Sequence, residues 1–123
     1  MAKEGDAIEV WGDGLQTRSF LIVDECVEGI RRLMESDFNG PVNIGSEEMI
    51  SINDFTKMIA DISGKDLSIK NIEGPTGVRG RNSDNALIAE KLGWSPSEPL
   101  RKGVERTFQW ISEQIAERER NGG

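Results

Sequence analysis

Trp11-Gly12-Asp13-Gly14-Leu15-Gln16-Thr17-Arg18-Ser19-Phe20 is the stretch on which the fold turns. Before it, Ala7-Ile8-Glu9-Val10-Trp11 alternates apolar and polar side chains, the period of a half-buried strand. Gly12 and Gly14 around Asp13 read as the turn that ends this strand. After it, Phe20-Leu21-Ile22-Val23 is a strand-sized apolar run. Asp24 is then placed to cap a helix with Val27, Ile30, Leu33 and Met34 at helical spacing. Acidic Asp24, Glu25 and Glu28 come early in this helix and Arg31 and Arg32 late, which suits its macrodipole, and it should end near Ser36.

Further along, Pro41-Val42-Asn43-Ile44-Gly45 reads as a short strand between turn residues. Ser51-Ile52-Asn53-Asp54 has the S-x-x-D capping pattern. It opens a helix with Ile52, Phe55, Met58, Ile59 and Ile62 on one face and Gly64 as its stop. Leu67 to Ile72 alternates like a strand, and Gly74 to Asn82 is a Gly-rich loop. Ser83 or Asp84 can cap a short helix over 85–92 that Gly93 ends. Pro99 suits the first position of a last helix carrying Leu100, Val104, Phe108, Ile111 and Ile115, with fraying expected from Glu117 onward. The order β, α, β, α, β, α, α predicts one small mixed α/β domain over residues 1–123, with short strands and about four helices.

Composition narrows the chemistry. With 36% hydrophobic and 30% charged residues the chain reads as globular, and Phe20 to Val23, its longest apolar run, is far short of a membrane span. A net charge of −7 argues against nucleic-acid and anionic-membrane partners. One cysteine, Cys26, and no signal-like N-terminus suggest a cytoplasmic protein, and with no histidine a metal site is not expected. Cys26 itself reads as a structural helix residue, and Trp11, Trp94 and Trp110 as core.

Against this acidic background two arginine-bearing segments stand out. Arg18 follows the glycine turn. Arg79 and Arg81 lie in Gly77-Val78-Arg79-Gly80-Arg81-Asn82-Ser83-Asp84, just before a helix start. A guanidinium forks onto two diphosphate oxygens as a lysine cannot, and a helix N-terminus adds positive potential. The competing reading is ordinary surface ion pairs, for Arg18 with Asp13 or Asp24. Gln16 and Ser19 flank Arg18 within reach of a sugar or phosphate, and Ser68 leads toward the second loop. Alternation along an extended loop would aim Arg79 and Arg81 the same way. No residue is assigned a catalytic role.

These segments, together with Pro41-Val42-Asn43-Ile44-Gly45-Ser46 and Leu92-Gly93-Trp94-Ser95-Pro96, resemble the C-terminal part of the extended short-chain dehydrogenases/reductases, the NAD-dependent epimerase/dehydratase family. The two arginine segments are similar to those of its GDP-mannose 3,5-epimerase branch. The resemblance implies that Arg18 and an arginine of the second loop, Arg81 before Arg79, hold a nucleotide diphosphate. It also implies that the strand at Pro41 to Gly45 joins the edge of a Rossmann sheet. In the family the Rossmann half binds NAD and supplies a Tyr-x-x-x-Lys pair and, in the 3,5-epimerases, Cys and Lys acid/base residues. The sugar is oxidised transiently at C4, epimerised beside the ketone and reduced again. This chain contains no tyrosine at all. The implied role is therefore a lobe that binds a nucleotide-diphosphate sugar, with no NAD site and no epimerase activity of its own. Two alternatives remain: a chain completed by a separate Rossmann-domain partner, and a homodimeric interaction protein.

Overall fold

The computed structural model describes residues 5–122. Among these are five short strands and four helices. Strand β1 (Ala7–Trp11) pairs in parallel with β4 (Ser68–Ile72), the two alternating segments seen in the sequence. A second sheet has β2 (Thr17–Ser19) at its centre. Strand β3 (Met49–Ser51) lies antiparallel on one edge and β5 (Gly80–Arg81) parallel on the other. The helices are α1 (Val23–Glu35), α2 (Ile52–Ser63), α3 (Ala86–Leu92) and α4 (Leu100–Arg120).

Several expectations need correction. The strand is polar Thr17–Ser19, not Phe20–Val23; Phe20 instead stacks on Phe55 of α2, ring centroids 4.3 Å apart. Helix α1 starts at Val23 with Ile22 in the cap position. Asp24 lies inside the first turn and pairs with Arg106 of α4. Pro41–Gly45 forms no strand, because no described strand lies beside it to take its backbone bonds. Helix α4 stays helical through Glu117 to Arg120, and Pro99 sits at its cap rather than inside it. Trp11 and Trp110 are more than half exposed, so they are not core.

Local capping is as the sequence predicts for α2. Ser51 Oγ accepts the Asp54 N–H at 3.1 Å, and Gly64 closes the helix in the left-handed conformation. Among the described residues the buried apolar side chains are few: Val10 of β1, Ile88 of α3 and Leu100 of α4.

Helix α1 has three sides. One packs inward through Gly29, where an added Cβ would fall 2.9 Å from Ile44. A second holds Glu28, Arg31, Arg32 and Glu35 in ion pairs. The third is apolar and open: Val23, Val27, Ile30 and Met34 are 68, 59, 46 and 80% exposed.

The hydrogen bonds from Arg31 and then Arg32 hold the Glu28 carboxyl at about 2, against an ordinary 4.5. A carboxyl depressed on folding stabilises the fold above its unfolded value, and that contribution is lost as pH falls from about 4.5 through about 2. A carboxyl titration by NMR should find the Glu28 midpoint near 2, and Arg31→Ala should return it toward 4.5. A midpoint unmoved by the substitution would mean that the pair does not persist in solution.

Candidate functional site

The site is built from the glycine turn upward. Gly12 and Gly14 both have positive φ, and a Cβ on Gly14 would run into the Asn53 amide, so only glycine fits the turn against α2. The turn in turn satisfies the start of α2. The Asn53 N–H donates to Gly14 O at 2.9 Å, the Ile52 N–H donates to Gln16 O at 3.0 Å, and Asn53 Nδ2 donates to Asp13 O at 2.9 Å. Strand β2 leaves this anchored turn in a fixed direction.

On β2, Arg18 stands opposite Ile50 on one side and Arg81 of β5 on the other. Arg18 and Arg81 are register partners on parallel strands, so their side chains share one face of the sheet. That face opens into a cleft of about 390 Å³ lined by both arginines and Ser19, by Asn43 and Ser46 of the 43–46 segment, and by Asn82 and Ser83 of the Arg81 loop. Arg18 Nη1 donates to Thr17 O at 2.7 Å and Nη2 to Thr76 O at 3.1 Å, which fixes the guanidinium against the loop carrying Arg79. Arg81 is exposed.

The other sequence-named residues separate. Arg79 turns away from the cleft and pairs with Asp13 at 3.0 Å, correcting the expectation that it shares Arg81's direction. Its carbonyl is pinned by the Thr17 N–H at 2.7 Å, and its guanidinium, with the Leu15 N–H, holds the Asp13 carboxyl below the usual range. The ion pairs considered for Arg18 are thus taken by other residues: Asp13 by Arg79 and Asp24 by Arg106. Gln16 is buried and lines a neighbouring cleft of about 350 Å³ with Arg18 and Trp11, not the one with Arg81. Its Nε2 donates to Trp11 O at 3.3 Å, while Oε1 is buried without a hydrogen-bond partner. Ser68 lies on β4 beside a different hollow, with Lys57 and Lys65, and does not join the arginines.

The α3 start does not add the expected pull on an anion. The Asn85 N–H donates to Glu47 Oε1 at 2.8 Å and the Ala86 N–H to Asp84 Oδ1 at 3.0 Å, so carboxylates already occupy it. Sequence reasoning missed Asn43, Asn82 and Ser83 as cleft walls. Asn82 and Ser83 belong to an Asn-Ser-Asp-Asn run whose polarity reads equally well as capping.

A second cleft, about 380 Å³, lies between α2 and α4 over the stacked Phe20 and Phe55. Its charged lining residues are Glu25 and Glu98, so it would repel a phosphate rather than hold one. No described helix is long and apolar enough to cross a membrane.

Residues 1–45 match the pattern described as "NAD dependent epimerase/dehydratase family". The chain is similar to GDP-mannose 3,5-epimerase of Arabidopsis thaliana, 56% identical over 95% of this chain and 31% of the relative. It is also similar to GDP-mannose 3,5-epimerase 1 of Oryza sativa subsp. indica, 57% identical over 96% of this chain and 31% of the relative. Among solved structures, it superposes on UDP-glucose 4-epimerase of Thermotoga maritima with UDP-glucose. That match has a TM-score of 0.83 and 28% identity, covering 89% of this chain and 36% of the other. UDP-glucuronic acid 4-epimerase of Bacillus cereus, in complex with UDP-glucuronic acid and NAD, gives a TM-score of 0.78 and 30% identity, covering 86% and 35%. The chain spans about a third of the length of the curated relatives it matches. It belongs to the NAD-dependent epimerase/dehydratase family and resembles the GDP-mannose 3,5-epimerases within it.

Proposed function

We propose that the chain holds the nucleotide-diphosphate part of a sugar nucleotide, GDP-mannose in the first instance, for chemistry carried out by residues outside it. The observation that carries this reading is the register pairing of Arg18 and Arg81 across β2 and β5, which puts two guanidiniums on one cleft wall of an otherwise acidic protein. Arg81 is the more open of the two and serves as the primary diphosphate ligand. Arg18, already braced against Thr17 and Thr76, presents its remaining N–H groups from a fixed position.

Binding energy gained on the nucleotide would orient the sugar, which is the chain's contribution to the reaction. The family's NAD supplies hydride transfer when bound, but these residues do not fit it. The glycine turn after β1 leads into β2 and not into a helix, so it lacks the strand–turn–helix start on which a dinucleotide pyrophosphate sits. No step through NAD is assigned to these residues. Calorimetric titration of the purified chain with GDP-mannose tests the reading: saturable heat is expected, and heat indistinguishable from dilution would sink it.

A second reading concerns partners, and the open apolar side of α1 favours it. Four apolar residues in one stripe, together with the strandless Pro41–Gly45 segment, suit a covering surface: a Rossmann lobe or a second copy of this chain. Sedimentation of the isolated chain is expected to show self-association at high concentration, reverting to monomer in Val27→Asp/Met34→Asp. A wild-type monomer at all concentrations would argue against the second-copy form.

A further inference from the structure

Asn85 is a buried polar residue beside the arginine cleft, and two of its bonds reach across to the 45–47 segment. Its Nδ2 donates to Gly45 O at 2.9 Å, its Oδ1 accepts Ser83 Oγ–H at 2.7 Å, and its N–H donates to Glu47 Oε1 at 2.8 Å. The Ser83 N–H donates to Ser46 O at 3.2 Å. Gly45, Ser46 and Ser83 all line the cleft, and Asn85 lies four residues after Arg81. At Gly45 the walls approach so closely that an added Cβ would fall 2.7 Å from Ser83 Cβ. Strand β5 has only two residues and is held on its other side by β2 alone.

We infer that Asn85 is a positioning residue that clasps the 45–47 segment to the Arg81 loop and so sets the width of the ligand cleft. It touches no ligand itself. This deepens the proposed function and rests on it: the clasp matters for a ligand long enough to use both walls, such as a sugar nucleotide. Inorganic pyrophosphate, which needs only the two guanidiniums on one wall, depends on it far less.

The test pairs Asn85→Ala, which removes the clasp, with Gly45→Ala, which keeps every polar group but wedges the walls apart. Both variants are expected to speed hydrogen exchange of the Ser83 amide. Both should weaken GDP-mannose by roughly tenfold, the size of one lost hydrogen bond, while pyrophosphate affinity stays within about twofold. Equal losses for the two ligands would make the effect a general loss of structure and overturn the positioning role. Unchanged Ser83 exchange in both variants would overturn the clasp itself. A wild-type chain that binds pyrophosphate but not GDP-mannose would instead remove the sugar-nucleotide reading, and the positioning role with it, while altered Ser83 exchange would still report the clasp.

Discussion

Arg81→Ala is expected to weaken GDP-mannose binding by roughly ten- to a hundredfold, the range for losing charge-assisted hydrogen bonds worth about 1.5–3 kcal/mol. Arg18→Ala should cost less, because Arg18 already commits two N–H groups to Thr17 O and Thr76 O. A guanidinium has five such donors, so Arg18 keeps three for a ligand while Arg81 keeps its full set among the described contacts. The double variant should lose less than the sum of the two, since both groups serve one diphosphate. Arg79→Ala is the control. It breaks an exposed pair with Asp13, 63% and 53% exposed, and should change affinity by less than about twofold. Because the chain carries −7 overall, binding works against the field of the protein, and salt should weaken the local arginine contacts further. Calorimetry on the three single variants decides the matter. Equal damage from Arg79→Ala and Arg81→Ala would mean that the cleft on the β2–β5 face is not the site.

The contrast between Arg79 and Arg81 shows where sequence reading stops. Both are two residues apart in one loop, and period-2 alternation aims them together. What separates them is Asp13, distant in sequence, which takes the Arg79 guanidinium only because Thr17 has drawn the Arg79 carbonyl onto β2. The same holds for β3 and β5, of three and two residues: no periodicity can show in so few, and they exist because β2 offers two edges. Helix α2 lies at the opposite extreme. Its cap at Ser51, its apolar face and its stop at Gly64 are all local, and all were legible. Strand β2 escaped notice because its residues are polar and its neighbours Phe20 to Val23 are not, so apolar content pointed one segment too far. The acidic background and the glycine turns single out Arg18, Arg79 and Arg81, the family resemblance puts Arg81 before Arg79, and the geometry adds that Arg18 and Arg81 are register partners.

Ile88→Ala should destabilise the chain by about 2–5 kcal/mol, the usual cost of emptying a fully buried aliphatic site. Ile88 is 0% exposed and one of the three buried apolar side chains described, with Val10 and Leu100. A domain of this size has about 5–15 kcal/mol in all, so this single change removes a large share. Urea unfolding followed by tryptophan fluorescence should show a midpoint lower by roughly 1–2 M with an unchanged slope. Leu87→Ala, one residue earlier and 38% exposed, should cost less than about 1 kcal/mol. Equal costs at the two positions would contradict the placement of α3. The variant also probes the cleft, because α3 begins immediately after Asn85. A ligand that binds only the folded chain raises stability by RT ln(1 + [L]/Kd), whatever the starting stability. GDP-mannose should therefore raise the midpoints of wild type and Ile88→Ala by similar amounts if the clasp survives the loss of Ile88. A shift confined to wild type would show that Ile88 holds Asn85, and through it the cleft, in place. The thin core and the ligand site would then form one cooperative unit.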